Sequence, residues 1–240
     1  MSAASGRRVA ALYDVHGNLP ALEAALAAAR GAGADLLVFG GDLAWGPLPA
    51  ETVAAIRALD DLPVLHVRGN ADREVAFGQA DDAVTRWAAA RLGGEARAWL
   101  GGLPRAQVVA VEGLGAVRFC HGSPRSDAEA LPAATPEARA AEALTHVDEP
   151  VVVCGHTHAQ FDRDVAGRRL VNPGSVGLPF GAPGAHWALL HAGGADLLVT
   201  PYDTAAAGAA FRAAGGPEAE DFAAHAAGPP PAALAAELHG

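Results

Sequence analysis

The sequence predicts an α/β domain. A mostly parallel sheet is built first, and an antiparallel or mixed second sheet follows Pro104. Three observations predict this. Short β-branched or leucine-rich runs alternate with helical patterns over roughly the first 70 residues, giving the order βαβαβ that feeds a parallel sheet. Beyond Pro104 the runs are separated by short glycine-rich turns, the spacing of hairpins. The chain has 240 residues, enough for one large domain with a full core and no need of disulfides or a structural metal.

Residues 9–13 read as the first strand and lead into Asp14-Val15-His16-Gly17-Asn18. Asn18 caps a helix running to about Arg30, with Pro20 tolerated in its first turn. A second strand, 36–39, leads into Gly40-Gly41-Asp42, and a second helix covers 47–59. The third strand, 64–67, leads into Arg68-Gly69-Asn70. Residues 74–103 set Phe77, Val84, Trp87, Leu92, Trp99 and Leu100 among alanines and charges around Gly93-Gly94. They read as an insert of two short helices, either a cap over the strand ends or a packed helical hairpin. Apolar residues at helical spacing favour packing. Hairpins follow over 108–111 with 116–120, 161–165 with 168–171, and 187–191 with 196–200. A strand at 151–154 leads into Gly155-His156-Thr157-His158. Helices are expected at 204–214 and 217–227, closing a domain of residues 1–227, and 228–240 reads as a loosely held tail.

Composition narrows the chemistry. Apolar types make up 51%, but 60 residues are alanine, a weak core former that makes nearly everything look helical. All 17 basic residues are arginine. Without lysine, a P-loop, a Schiff-base enzyme and a protein kinase of the usual kind are excluded. The net charge of -10 comes with no basic stripe, so neither stable nucleic-acid binding nor a polybasic membrane anchor is expected. Cys120 and Cys154 each end an apolar run and read as buried strand residues. No run reaches membrane-spanning length, and the one after Arg7-Arg8 ends at Asp14, too short for a signal peptide. The protein is therefore expected in the cytoplasm. Homo-oligomer formation is left open.

Asp14, His16, Asp42, Asn70, His121, His156 and His158 all fall just past the end of a predicted strand. In parallel sheets those ends gather at one edge, where loops build sites. Imidazole suits mid-to-late first-row metals, and carboxylate and amide oxygens suit harder ones. Asp14 and His16 are two apart, so an extended segment points both to one side, and His156 and His158 repeat the geometry. Asp42 can bridge two ions with its two oxygens. Two ions about 3.5–4 Å apart clamp a phosphoryl group and activate a water between them. Each motif alone is usually a loop or turn; their order and strand context carry the joint reading.

Asp14-Val15-His16-Gly17-Asn18, Gly41-Asp42, Gly69-Asn70-Ala71-Asp72, His121-Gly122 and Gly155-His156-Thr157-His158 resemble the motif series of calcineurin-like metallophosphoesterases. The likeness runs from about residue 8 to 200 and includes Asn172-Pro173-Gly174-Ser175. It points to the small bacterial and archaeal phosphodiesterase branch. The resemblance implies a four-layer αββα sandwich, two mixed sheets flanked by helices. It implies Asp14, His16, Asp42 and His158 on one metal, and Asp42, Asn70, His121 and His156 on the other. The two divalent ions are expected to be manganese first, with iron, zinc, nickel or cobalt as alternatives. Asp42, Asn70, Asp72 and His121 form the expected catalytic set, Asp72 by orienting its neighbours. Asn70, Arg125 and Asn172 are the expected substrate contacts.

One position departs from many family members: Ala71 stands where a histidine assists the leaving group. A side-chain general acid is typically worth ~10²–10⁴-fold, so leaving groups of low pKa are expected to be favoured. The expected activity is hydrolysis of a small phosphodiester. The alternatives are a phosphomonoesterase acting on nucleotides or phosphoproteins, and a non-catalytic scaffold of the same fold. Trp45 and Phe180 either line a pocket or pack in the core, with packing favoured; His66 is expected to pack, and Arg73 to pair with a carboxylate.

Overall fold

The structure, a computed structural model, describes residues 7–239. In chain order the first part runs β1 (Val9–Leu12), α1 (Leu19–Gly31), β2 (Leu36–Phe39), α2 (Pro49–Arg57) and β3 (Val64–His66). Two helices follow, α3 (Asn70–Phe77) and α4 (Ala83–Gly101). Then come β4 (Ala106–Val111), β5 (Gly115–Cys120), α5 (Glu137–Ala143), β6 (Val151–Val153), β7 (Phe161–Val165) and β8 (Arg168–Asn172). The chain closes with β9 (Ala185–His191), β10 (Gly194–Thr200), α6 (Thr204–Ala214), α7 (Ala219–Ala227) and α8 (Ala232–His239).

Two mixed five-stranded sheets result, ordered β10-β9-β1-β2-β3 and β4-β5-β6-β8-β7. β1, β2 and β3 are parallel, as are β5, β6 and β8. The β9–β10 hairpin differs from expectation. It joins the first sheet, with β9 antiparallel to β1 at Ala10↔Leu189. β9, buried along nearly its whole length, covers the β1 edge that a parallel βαβ unit leaves open, and β10 pairs outside it.

Burial on both faces produces the layers. In β1, Val9 and Ala11 meet Val117, Phe119, Val151 and Val153 of the other sheet, while Ala10 and Leu12 face α1 and α4. Val152 and Leu170 on the far side of the second sheet pack with Ala140 and Ala143 of α5. The result is the αββα sandwich. Period-two alternation between two apolar faces explains why these strands read as unbroken hydrophobic runs.

Asn18 caps α1 as expected, its Oδ1 accepting from Ala21 N at 3.1 Å. The expected insert begins earlier than residue 74, since α3 starts at Asn70. α4 breaks at Gly93, where φ is 69° and ψ 174°. Ala88 and Leu100 of α4 belong to the main core, and Trp99 stands edge-on to His66, which stacks on Phe39. The segment is therefore core, not a detachable cap. The expected tail also folds: α8 buries Ala235, and Pro230 O accepts from Gly181 N at 2.8 Å. No helix among the described residues is long and apolar enough to cross a membrane.

Candidate metal centre

The carboxyl ends of β1, β2, β3, β5 and β6 lie at one edge, as the parallel pairings require. The loops there are not extended. φ is 53° at Asp14, 49° at His16, 54° at Asp42, 66° at His156 and 58° at His158. The side chains converge because the backbone turns sharply through the left-handed region at each of these residues, not because an extended segment alternates. Such conformations cost roughly 1–3 kcal/mol each and persist where surrounding bonds over-determine them. Here Asp14 N donates to Gly41 O at 3.1 Å, His16 N to Asp42 O at 2.9 Å and Gly155 N to His121 O at 2.7 Å. Asp14 Oδ2 accepts from His156 N at 3.0 Å, tying the two sheets together. Gly41 and Gly69 let two of these loops touch: a Cβ on Gly41 would lie 2.5 Å from Gly69 N, and one on Gly69 would lie 2.0 Å from Asp42 Oδ1.

Two donor groups form, Asp14–His16–His158 and Asp42–His121–His156, with the ligand atoms of each within 4.8 Å of one another. Asp42 Oδ2 lies between them, 3.8 Å from His16 Nε2 and 3.3 Å from His121 Nε2. Its other oxygen, Oδ1, accepts from Ala71 N at 2.8 Å. Asp42 thus offers one oxygen to both groups, not one oxygen to each. Asn70 Oδ1 completes the second group, 3.1 Å from His121 Nε2.

Three of the imidazoles are anchored through Nδ1. His16 donates to Trp45 O at 3.0 Å, His121 to Gly40 O at 2.9 Å and His158 to Leu178 O at 2.9 Å. A ring that donates from Nδ1 presents its Nε2 lone pair, the arrangement of a metal ligand with an outer partner. His16 Nε2 and His158 Nε2 lie 3.0 Å apart, close enough to share a proton or to ligate one cation. Asp14 Oδ1 is buried with no hydrogen-bond partner, 3.5 Å from His158 Nε2. A buried carboxylate oxygen left unpaired is costly unless a cation takes it. The residues present therefore fit two divalent ions.

The electrostatics agree. Burial alone would raise Asp42, but His121 and His16 hold its carboxyl well below the usual range. Burial would lower His121, yet the Asp42 and Asp14 charges hold it up at about 10. Burial and the neighbouring His158 bring His16 down to about 4, keeping it neutral. Asp14 and Asp42 likewise hold His158 up against its burial, so positive charge is favoured at the centre.

Asp72 is buried at this edge, and both its oxygens are used: Oδ2 accepts from Asp42 N at 2.8 Å and Gly69 N at 3.0 Å, and Oδ1 from Leu43 N at 2.8 Å. Burial and the Asp42 charge raise it to about 6. It orients the Asp42 loop. Asn172 is not a substrate contact. Its amide donates to Gly155 O and Thr157 Oγ1, both at 3.0 Å, and its Oδ1 accepts from Gly174 N, so it braces the His156–His158 loop from below. Arg125 is committed elsewhere, to Glu129 at 2.6 Å and Glu142 at 3.1 Å. Arg73 pairs with Asp127 at 2.9 Å. The open side of the centre is a cavity of about 260 Å³ lined by His16, Asp42, Trp45, Asn70, Ala71, Glu74 and Asp82. Glu74 and Asp82 had no signal in the sequence, because one follows Asn70 by a helical turn and the other caps α4. Ser175, whose hydroxyl donates to Asp14 O at 2.7 Å, was visible only as a turn residue.

Residues 8–194 match the model of the calcineurin-like phosphoesterase superfamily domain, and the chain belongs to that superfamily. The chain is similar to a hypothetical protein from Pyrococcus horikoshii at 22% identity, covering 91% of this chain and 98% of that one with a TM-score of 0.80. It is also similar to a metallophosphoesterase from Sphaerobacter thermophilus at 28% identity, covering 92% and 98% with a TM-score of 0.71. No curated protein matches it in sequence.

Proposed function

We propose that the protein is a dinuclear-metal hydrolase of phosphodiesters, with manganese the first metal to test and the cytoplasm as its compartment. One observation carries the reading: two buried donor groups share Asp42 Oδ2 and open onto a cavity in which position 71 offers only a methyl group. Divalent ions bound there supply Lewis-acid polarisation of the phosphoryl oxygens and a water of lowered pKa.

The chain's own residues set the limits. His16, His121 and His158, each fixed by an Nδ1 donor, would offer Nε2 to the ions, and Asn70 would offer its amide oxygen. No imidazole at position 71 protonates the departing oxygen. Asp72 does not substitute, since both its oxygens accept backbone N–H groups. No arginine lines the cavity, while Glu74 and Asp82 do. A singly charged diester therefore suits the walls better than a doubly charged monoester. The test is a panel of matched aryl diesters and monoesters run with several added divalent metals. Diesters are expected to turn over faster; a clear monoester preference in the metal-loaded protein would refute the reading.

A further inference from the structure

A second cavity, about 190 Å³, adjoins the first and is lined by Trp45, Leu178, Glu218, Asp221, Phe222 and His225. Trp45 is common to both and is fixed at three points. Its carbonyl accepts from His16 Nδ1 at 3.0 Å, its indole N–H donates to Asp82 at 3.2 Å, and its ring meets Phe222 edge-on at 5.7 Å. A ligand held at the metal groups can thus extend past Trp45 into the second cavity.

The second cavity has a distinct chemistry. Two aromatic rings and Leu178 make its walls, and two carboxylates stand at its rim. Neither Glu218 nor Asp221 has an ion-pair partner among the described residues, although Arg212 and Glu220 of the same hairpin pair at 2.9 Å. No arginine lines either cavity, and the chain has no lysine. His225 donates from Nε2 to Pro179 O at 2.8 Å, and burial lowers its pKa, so it adds no positive charge. Aromatic faces beside unpaired carboxylates attract an organic cation, and they repel a second anion.

We propose that the Trp45–Phe222 cavity, with Glu218 and Asp221 at its rim, is the alcohol subsite for a phosphodiester whose alcohol carries an ammonium group. The proposal rests on the phosphodiesterase reading for the scissile phosphate and deepens it. Glu218, Asp221, Phe222 and His225 lie beyond residues 8–194, the span matched by the family domain. The preference is thus written largely in the α6–α7 hairpin. Nucleotides with further phosphates meet Glu74, Asp82, Glu218 and Asp221 and are poor substrates.

The test pairs p-nitrophenyl phosphocholine with its neutral isostere, p-nitrophenyl 3,3-dimethylbutyl phosphate. In each, water's oxygen bonds to phosphorus, the P–O bond to p-nitrophenolate breaks, and water's proton goes to the buffer. With the metal-loaded full chain, kcat/KM is expected to favour the choline ester by at least about tenfold. Glu218→Gln with Asp221→Asn, both rim positions, should bring that ratio toward one. Calorimetric titration of choline and of 3,3-dimethylbutanol onto the full chain gives a readout independent of turnover. Choline should bind at least about tenfold tighter, and the double variant should lose that margin. Equal rates and equal binding for the two members of each pair would overturn the subsite while leaving the phosphodiesterase reading intact. Selective choline binding with neither ester hydrolysed would support the ammonium subsite and remove the phosphodiesterase reading.

Discussion

Asp42 makes the most connections at the centre. Oδ2 faces both donor groups and Oδ1 is held by Ala71 N. Asp42→Asn is expected to drop metal content to one ion or fewer and to cut turnover by more than the roughly 10–100-fold that loss of an outer partner costs. Elemental analysis beside kcat checks this. Asp72→Asn acts differently. An amide oxygen cannot replace two carboxylate oxygens toward three N–H donors, so about 1–3 kcal/mol of stability should be lost, seen as a lowered Tm. Ala71 is 5% exposed and lines the open cavity, so an imidazole placed there faces the reacting group. In the wild type, log kcat/KM should fall steeply as leaving-group pKa rises, and Ala71→His should flatten the line. A flat wild-type line would remove the argument from the missing histidine.

At the scale of elements, α4 contributes to the main core. Its apolar spacing left a cap and a packed hairpin both open, and tertiary packing chose the second. Leu100 is fully buried in the core beside Ala88 and Trp99. Leu100→Ala should cost about 2–5 kcal/mol in denaturant unfolding. A loss under about 0.5 kcal/mol would mean that α4 is peripheral after all. Removing residues 78–102 would take away this face of the core, so an unfolded chain is expected rather than a more open site. The α6–α7 hairpin does what α4 does not: Trp45 and Phe222 meet beside the centre, and His225 braces the loop that carries Leu178.

For the whole molecule, the two sheets meet at an edge where Asp14 and Asp42 converge with His16, His121, His156 and His158, a donor set suited to divalent ions. Two ions per chain are expected after reloading with a divalent metal. Chelation should lower Tm and reloading restore it, because ligands that bind only the folded state stabilise it by mass action. A chain whose metal content stays near zero after reloading, with Tm unmoved, would contradict the dinuclear assignment.

The sequence by itself determined the strands, the helix capped by Asn18, and the seven candidate donor positions that the fold gathers at one edge. β1, β2 and β6 are runs buried on both faces, and the loops that carry Asp14, His16, Asp42, His156 and His158 follow them. It also determined, through the absence of lysine and the alanine at position 71, which chemistries were closed. Tertiary structure alone decided the rest. Which sheet takes the β9–β10 hairpin depends on an open strand edge far away in the chain. Whether Arg125 or Asn172 reaches a substrate depends on partners such as Glu129, Glu142 and Gly155, which no local pattern specifies. The left-handed backbone at Asp14, His16, Asp42, His156 and His158 runs against local preference, so no propensity could announce it. It exists because hydrogen bonds between loops from different strands hold it, within each sheet and, through His156 N and Asp14 Oδ2, between the two.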